Sequence, residues 1–573
     1  MRISFIVFFI LLSSKVFGQI SEKTYSIGTY EFNDPNPLPS LSFNAKYYPY
    51  NTFDGYSISK KEKDFKVVTL ENDHLKVEIL PELGGKIWGA IDKSNGNEFV
   101  YKNDVLKFRN IAMRGPWTSG GIEFNFGIIG HHPSTSSPVD YKLEKLEDGT
   151  LVCVVGSIDL PSRTQWRVKI TLTPNQSAFK TKTTWYNPTS TDKSYYNWMT
   201  AAALAKNDLT FYAPGDTYLE HNGNPHPWPT DKYGRNLSNY RENNFGSSKS
   251  YHVVGEFNDF FGGYYSDSQI GFGHYSRYDE MPGKKLWIWD LSRFGGIWED
   301  LLTDNDGQYI EYQAGRLFDQ YFPGTENAQK QAIFDASRTD RWEEFWFPVK
   351  GIGGILDASS KGALNFSIEN DRLRVKVNSF IKTSDTVIFI QDDRQESIAS
   401  QFDTNGVQEI IFKDVNPTQP FVIKIPELDL HYNSKPKKLK RPWATDSSVL
   451  KISSTDKLFQ KGLNARRFRE YASAKDIFET VIKDDPAHLG AREELGKMYL
   501  EQGLLQEAEK IVQVGLSLDT YHPGLNYIAG LIYLSQKDYT NAIESFGWAA
   551  HSQHYRSVSY EHISKVYLIK RNN

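Results

Sequence analysis

At 573 residues, with a formal net charge of -4 and charged side chains at 24%, the chain shows no basic excess for a nucleic-acid partner and no acidic tail. The length accommodates three or four domains of about 150 residues each. Aromatic side chains reach 14%; their first use is to bury area in cores, yet many here stand among Gly, Asn, His and Pro, where strands give way to loops.

Residues 1–18 read as a signal peptide. Arg2 supplies an early positive charge, residues 3–14 form an apolar run broken by a few serines, and Gly18 offers a small exit residue before Gln19. That run is too short to persist as a bilayer span, so the mature protein is expected to be exported without a membrane span, to the periplasm or, alternatively, to the cell surface or medium. The single cysteine, Cys153, sits in an alternating run at 151–155. It cannot form an internal disulfide and reads as a buried strand residue, so core size must hold the exported chain together.

Residues 24–350 read as β throughout. The stretches 66–70, 75–79 and 167–172 alternate apolar and polar residues, and clusters such as Glu71-Asn72-Asp73 and Glu147-Asp148-Gly149 mark turns between them. Many strands at short spacing imply a large antiparallel sandwich. Within it, residues 77–87 form a hairpin whose turn needs a positive φ at Gly84 or Gly85.

Glu123 lies between Ile122 and Phe124, so strand alternation turns it away from both. In a Gly-lined, aromatic-rimmed cleft its pKa would rise and it would serve as a general acid; the alternative is a structural ion pair with Arg114. His131 and His132 follow the same strand. Imidazole titrates near neutral pH, which makes either a candidate acid, although adjacent histidines usually point apart. The loop 221–240 interleaves proline with His226 and Trp228. It reads as a rim or lid presenting Trp228 to a ligand, the alternative being a loop packed on its own sheet. Further on, one of Trp287 and Trp289 is expected in the core, whereas Trp298, beside Asp300, would stack on a sugar ring. On the strand at 309–313, Tyr309, Glu311 and Gln313 share a face, and aromatic, carboxylate and amide together suit a sugar. Glu123 as acid and Glu311 as base or nucleophile would supply the carboxylate pair of glycosidic cleavage. No histidine pair has i, i+4 helical spacing, and no phosphate loop or nucleophile elbow occurs, so neither metal nor cofactor is expected.

A smaller, plainer β-sandwich is expected over 351–432. The basic, twice-proline stretch at 433–453 reads as a solvated linker or, more sharply, a docking patch. Beyond it Gly462, Gly496 and Gly530 recur every 34 residues, as do Ala474, Ala508 and Ala542, and Phe478, Val512 and Phe546. That period marks tetratricopeptide (TPR) hairpins at 455–488, 489–522 and 523–556, closed by a capping helix that runs toward residue 573. The repeats would dock a protein partner. Each part has its own core pattern, so repeats and sandwich are expected to separate at the linker.

The Gly84-Gly85 hairpin also looks like the opening of the galactose-mutarotase-like fold, the twisted supersandwich of aldose epimerases and several glycoside hydrolases and lyases. The segments 117–127 and 130–133 resemble the Gly-rich strand and histidine turn of an uncharacterised bacterial family with that fold, and 197–202, 287–301 and 306–315 match it in order. The resemblance spans about residues 47–354. It implies a TPR-bearing, carbohydrate-active protein of polysaccharide-utilisation loci in Bacteroidetes, with an oligosaccharide or polysaccharide as ligand, an algal polymer such as ulvan among the candidates. The matching segments add Trp117, Asn125 and Trp198 to the expected sugar contacts, beside His226, Trp228, Trp298, Asp300, Tyr309 and Gln313. Three activities stay open: a glycoside hydrolase, a non-catalytic TPR scaffold with a degenerate sugar module, and an epimerase with a histidine acid opposite a glutamate base.

Overall fold

The computed structural model describes residues 18–34, 36, 53, 55–109, 115–289, 291, 299–320, 332–439 and 453–572. Residues 1–17 of the proposed leader, Arg114, Trp298 and most of the linker lie outside them. The chain is mostly β up to Asn433 and helical from Ser454.

A 14-stranded sheet and an 8-stranded sheet face one another. Alternation explains the packing. In Thr164–Leu172, Trp166, Val168, Ile170 and Leu172 point inward while Arg167 is exposed. They meet Ile87, Phe124 and Phe126 of the larger sheet in one continuous core that also takes in Trp185, Trp342 and Trp346. Cys153 is buried in that core, and burial pushes its thiol up to about 12. The first strand begins at Gln19, ahead of the expected start at residue 24. Its polar opening residues carry no alternating signal but pair with the strand at 61–71, from Gln19 opposite Glu71 onward.

Two four-stranded sheets over 357–433 enclose a separate core of Leu364, Val375, Phe389 and Ile423. The start of the basic stretch is not free in solvent as a linker would be. Leu439 donates its backbone N–H to the Gly255 carbonyl at 2.7 Å, and Lys438 pairs with Asp216 at 3.2 Å.

Among the described residues seven helices follow: α1 (Ser454–Arg467), α2 (Tyr471–Asp484), α3 (Leu489–Glu501), α4 (Leu505–Leu518), α5 (Pro523–Ser535), α6 (Tyr539–Ala549) and α7 (Gln553–Asn572). The glycine of each period is where two helices touch: a Cβ on Gly530 would lie 2.7 Å from the Phe546 ring. The repeats do not stand apart from the sandwich. Arg466 reaches Asp192 at 2.9 Å and Lys193 reaches Glu501 at 2.7 Å, while Phe468 packs among Ile128, Ile129, Tyr196 and Trp198. The repeats and the sandwich therefore share an interface, across which any separation at the linker would have to break these contacts.

Candidate functional site

Six neighbouring strands of the larger sheet carry the site: β1 (Lys86–Asp92), β2 (Ile122–Gly127), β3 (Lys193–Leu204), β4 (Lys249–Val254), β5 (Gly283–Ile288) and β6 (Tyr309–Gly315). They lie in the order β4-β5-β6-β3-β2-β1. Ile122, Phe124, Met199, Ala201, Ile310 and Tyr312 enter the core, so the intervening residues gather on the opposite face.

Register aligns them in rows. Lys285 is opposite Gln313, Gln313 opposite Thr200, and Thr200 opposite Glu123. In the next row Trp287 is opposite Glu311 and Glu311 opposite Ala202. Glu123 and Glu311 therefore flank β3, their strands roughly 9.5 Å apart by two interstrand spacings. Only the methyl of Ala202 and the short Thr200 side chain rise between them.

Glu123 is buried and held on both oxygens. Trp117 Nε1 donates to Oε2 at 3.0 Å and Asn125 Nδ2 to Oε1 at 3.2 Å; His131 Nδ1 shares Oε1. Burial opposes the charge on Glu123, but the charge and hydrogen bond of His131, with Lys86 nearby, hold its carboxyl below the usual range. Burial likewise favours a neutral His131, and the Glu123 carboxylate overcomes it, raising the imidazole above its ordinary value. Glu311 goes the other way. Burial pushes its carboxyl up, and the Glu123 charge adds to that. The Tyr309 hydroxyl donates to Oε1 at 2.9 Å and the Gln313 amide to Oε2 at 2.6 Å. The two carboxyls are thus displaced in opposite directions, Glu123 toward its ionised form and Glu311 toward its neutral one.

Two lysines complete the electrostatics. Lys86 Nζ donates to the Thr118 carbonyl and hydroxyl at 3.1 Å and to the Gly120 carbonyl at 3.0 Å, and burial lowers it to about 8. Lys285 donates to Gln320, which donates to Gln313, and burial lowers it to about 7. Neither was singled out from sequence. Lys86 opens its strand and Lys285 follows Lys284, so neither breaks an apolar alternation that would have singled it out. Trp287 is half-buried beside Glu311, over Lys285, and 5.4 Å from the buried Trp289.

Several expected contacts are corrected. His132 turns away from the pair: its Nδ1 accepts the Ser134 N–H at 3.1 Å and its ring packs on Trp166. It is structural. Trp198 is fully buried, its ring occupying the space left by Gly315, where a Cβ would come within 2.5 Å of it. Trp228 is no lid. It is 5% exposed, donates to the Ala213 carbonyl at 3.0 Å and packs on Tyr251. His226 stacks on Tyr218 on the far edge of the sheet, away from the pair. Asp300 is exposed, and its carbonyl, not its carboxylate, binds Lys107 at 2.9 Å. Trp117, Asn125, Tyr309 and Gln313 do belong to the cluster, but as buried groups that orient the carboxylates. Among the described residues, no group of three or more His, Cys, Asp or Glu could hold a metal ion.

Comparison with known proteins agrees with this architecture. Residues 43–349, more than half of the chain, match the family described as Domain of unknown function (DUF5107), and the chain belongs to that family. Residues 459–523 match a tetratricopeptide repeat. A TPR-domain containing protein from Parabacteroides distasonis is similar in structure, with 18% identity over 96% of this chain and 92% of that one and a TM-score of 0.54. Galactose mutarotase-like proteins from Clostridium acetobutylicum and Lactobacillus casei are similar at 10% and 12% identity. They cover 50% and 49% of this chain and 96% and 99% of theirs, with TM-scores of 0.39 and 0.36.

Proposed function

We propose that the outer face of the larger sheet is the acid–base site of a carbohydrate-active protein that cleaves a glycosidic bond. The observation that carries this reading is the pair of carboxylates in adjacent rows on either side of β3, pushed in opposite directions by their surroundings. In the reaction, Glu311 gives its proton to the departing glycosidic oxygen as the bond to the anomeric carbon breaks. Glu123, ionised at neutral pH, acts from the other side as base toward water or as nucleophile at that carbon. Trp287 offers a ring face beside Glu311 for the sugar's C–H surface. The leader-like N-terminus supports export, and in this reading the protein works in the periplasm on fragments released by a polysaccharide-utilisation system, with a protein partner meeting the TPR repeats on surfaces not held by the sandwich.

A second reading, sugar epimerisation, is favoured by the direct His131–Glu123 contact, since a histidine–glutamate couple can open and close a ring hemiacetal by proton transfer. One experiment separates the two. The purified protein is incubated with plant and algal oligosaccharides, and products are read by mass and anomeric configuration. Cleavage should appear in the wild type and fall by about 10²–10⁴ in Glu311→Gln, with recovery on substrates whose leaving group needs no proton. Glu123→Gln should not recover that way. Anomer exchange without cleavage would select the epimerase, and sugar binding without turnover would leave a non-catalytic module.

A further inference from the structure

The period of the repeats shows which way their shared groove faces. Phe459, Glu493 and Tyr527 are equivalent positions on α1, α3 and α5, as are Leu463, Lys497 and Leu531, and Arg467, Glu501 and Ser535. From these rows Lys497 lies 3.5 Å from Asp192, Glu501 accepts from Lys193 at 2.7 Å, and Tyr527 donates to the Ser190 carbonyl at 2.8 Å. The segment 190–193 of the sandwich thus lies along the groove of its own repeats. It runs directly into β3, the strand between the two carboxylates. A second tie comes from the turn between α1 and α2. Phe468 is 1% exposed and clusters with Ile128, Ile129, Tyr196 and Trp198, and Ser194 Oγ donates to the Arg467 carbonyl. Ile128 and Ile129 are the link from β2 to Gly130 and His131.

We infer that the repeats are an intramolecular brace for the site, with Phe468 a positioning residue that fixes the His131 turn against Glu123 through Ile128, Ile129 and Trp198. The two ties act at both ends of the arrangement. The groove fixes where β3 enters the sheet, and Phe468 fills the space behind the turn that leaves β2. Removing the phenyl ring leaves a cavity that the turn relaxes into, lengthening the histidine–carboxylate contact. The inference rests on the acid–base reading of that pair, but its test does not.

The test is the titration of His131 in the full-length, histidine-labelled protein, followed by NMR and assigned with His131→Gln. The groups facing the ring are Glu123, Glu311 and Lys285, with Trp117 against its face. In the wild type the midpoint should lie above the ordinary histidine value of about 6.5. In Phe468→Ala it should fall toward that value while His431, on the small sandwich, does not move. Tyr527→Phe, which removes the hydroxyl's bonds to the Ser190 carbonyl and, within the repeats, to His562, should give a smaller fall in the same direction, and it decides the matter alone if Phe468→Ala does not fold. An unchanged His131 midpoint in folded Phe468→Ala, or in Tyr527→Phe when that variant must decide, overturns the brace. A protein that turns over no sugar yet shows the shift would end the acid–base reading and leave the brace standing.

Discussion

Two regions of this molecule bury clusters of charge, and they treat it in opposite ways. At the seam between repeats and sandwich, Asp192 lies between Arg466 and Lys497, and Glu493 and Glu494 close on Lys497 at 2.6 and 2.9 Å. Burial works against every ion there, but the neighbours win: Asp192 is held well below the usual carboxylate range, and Arg466 and Lys497 well above theirs. Within the candidate site, Glu123 and His131 are matched. Glu311, Lys285 and Lys86 are displaced toward their neutral forms because burial outweighs their partners. The matched cluster holds two modules together. The mismatched one holds Lys285 near 7 and Lys86 near 8, within reach of proton exchange at neutral pH, a pattern that is enriched at functional sites. Compensation marks the joint; at the proposed site it is incomplete.

The contrast can be broken first at the joint. Asp192→Ala removes one of the two anions that bridge Arg466 and Lys497, leaving Glu494 as the other, and the cost is expected to be about 1.5–3 kcal/mol of stability in denaturant unfolding, as for a lost hydrogen bond between charged groups. Because the folded pKa of Asp192 is depressed, its contribution is present above the unfolded value of about 3.9 and is lost only as pH falls through the lower folded value. Measured at pH 5 and pH 7, the penalty should therefore be the same. A cost below about 1 kcal/mol would mean that water reaches the seam and that the pairing is no stronger than a surface one.

At the site, Trp287→Ala should weaken oligosaccharide binding by roughly 1–3 kcal/mol, with little change in melting temperature, since the ring is only half-buried. Trp228→Ala is the internal contrast. Its ring is in the core, so truncation should cost about 3–5 kcal/mol of stability and leave binding per folded molecule intact. Calorimetric titration beside a thermal melt checks both, and a binding loss confined to Trp228→Ala would reverse the assignment.

The smallest effect is the sharpest comparison. Lys285→Met replaces a buried cation that its surroundings disfavour, so stability at pH 7 should stay within about 1 kcal/mol of the wild type or rise. Lys497→Met, at the compensated joint, should instead destabilise clearly. The sign with pH follows from the depressed folded value near 7. Between there and the unfolded value of about 10.4 the unfolded chain binds the extra proton, so wild-type stability gains as pH rises through that window. Lys86 contributes in the same sense, and part of the gain should vanish in Lys285→Met. An undiminished gain in that variant would show that Lys285 is solvated.

Periodicity made much of the architecture legible. A 34-residue step places the hairpins without any tertiary information, and period two on 122–127 and 309–313 correctly sends Glu123 and Glu311 to the face opposite the core. What periodicity cannot give is register between distant strands. Glu311 stands opposite Ala202, and Trp287 opposite Glu311; neither pairing is written locally. Trp228 and Trp198 were misread for a related reason. Aromatic identity is the same for a ring that waits at a rim and one that fills the space left by Gly315. The order of the two carboxyl pKa values depends on His131 folding back onto Glu123 and not onto Glu311. The joint rests on Asp192 meeting Arg466, 274 residues away in the chain.

The account stands most directly on which carboxyl carries the proton. Site-resolved titration of Glu123 and Glu311 by carboxyl ¹³C shifts in the full-length protein, assigned with the two Gln variants, measures it without any substrate. The expected result is Glu123 titrating below an ordinary glutamate and Glu311 above it. Glu123→Gln should lower the Glu311 midpoint, because the charge that helps to raise it is gone. Glu123 titrating above Glu311, or two midpoints near the ordinary value of about 4.3, would contradict the account.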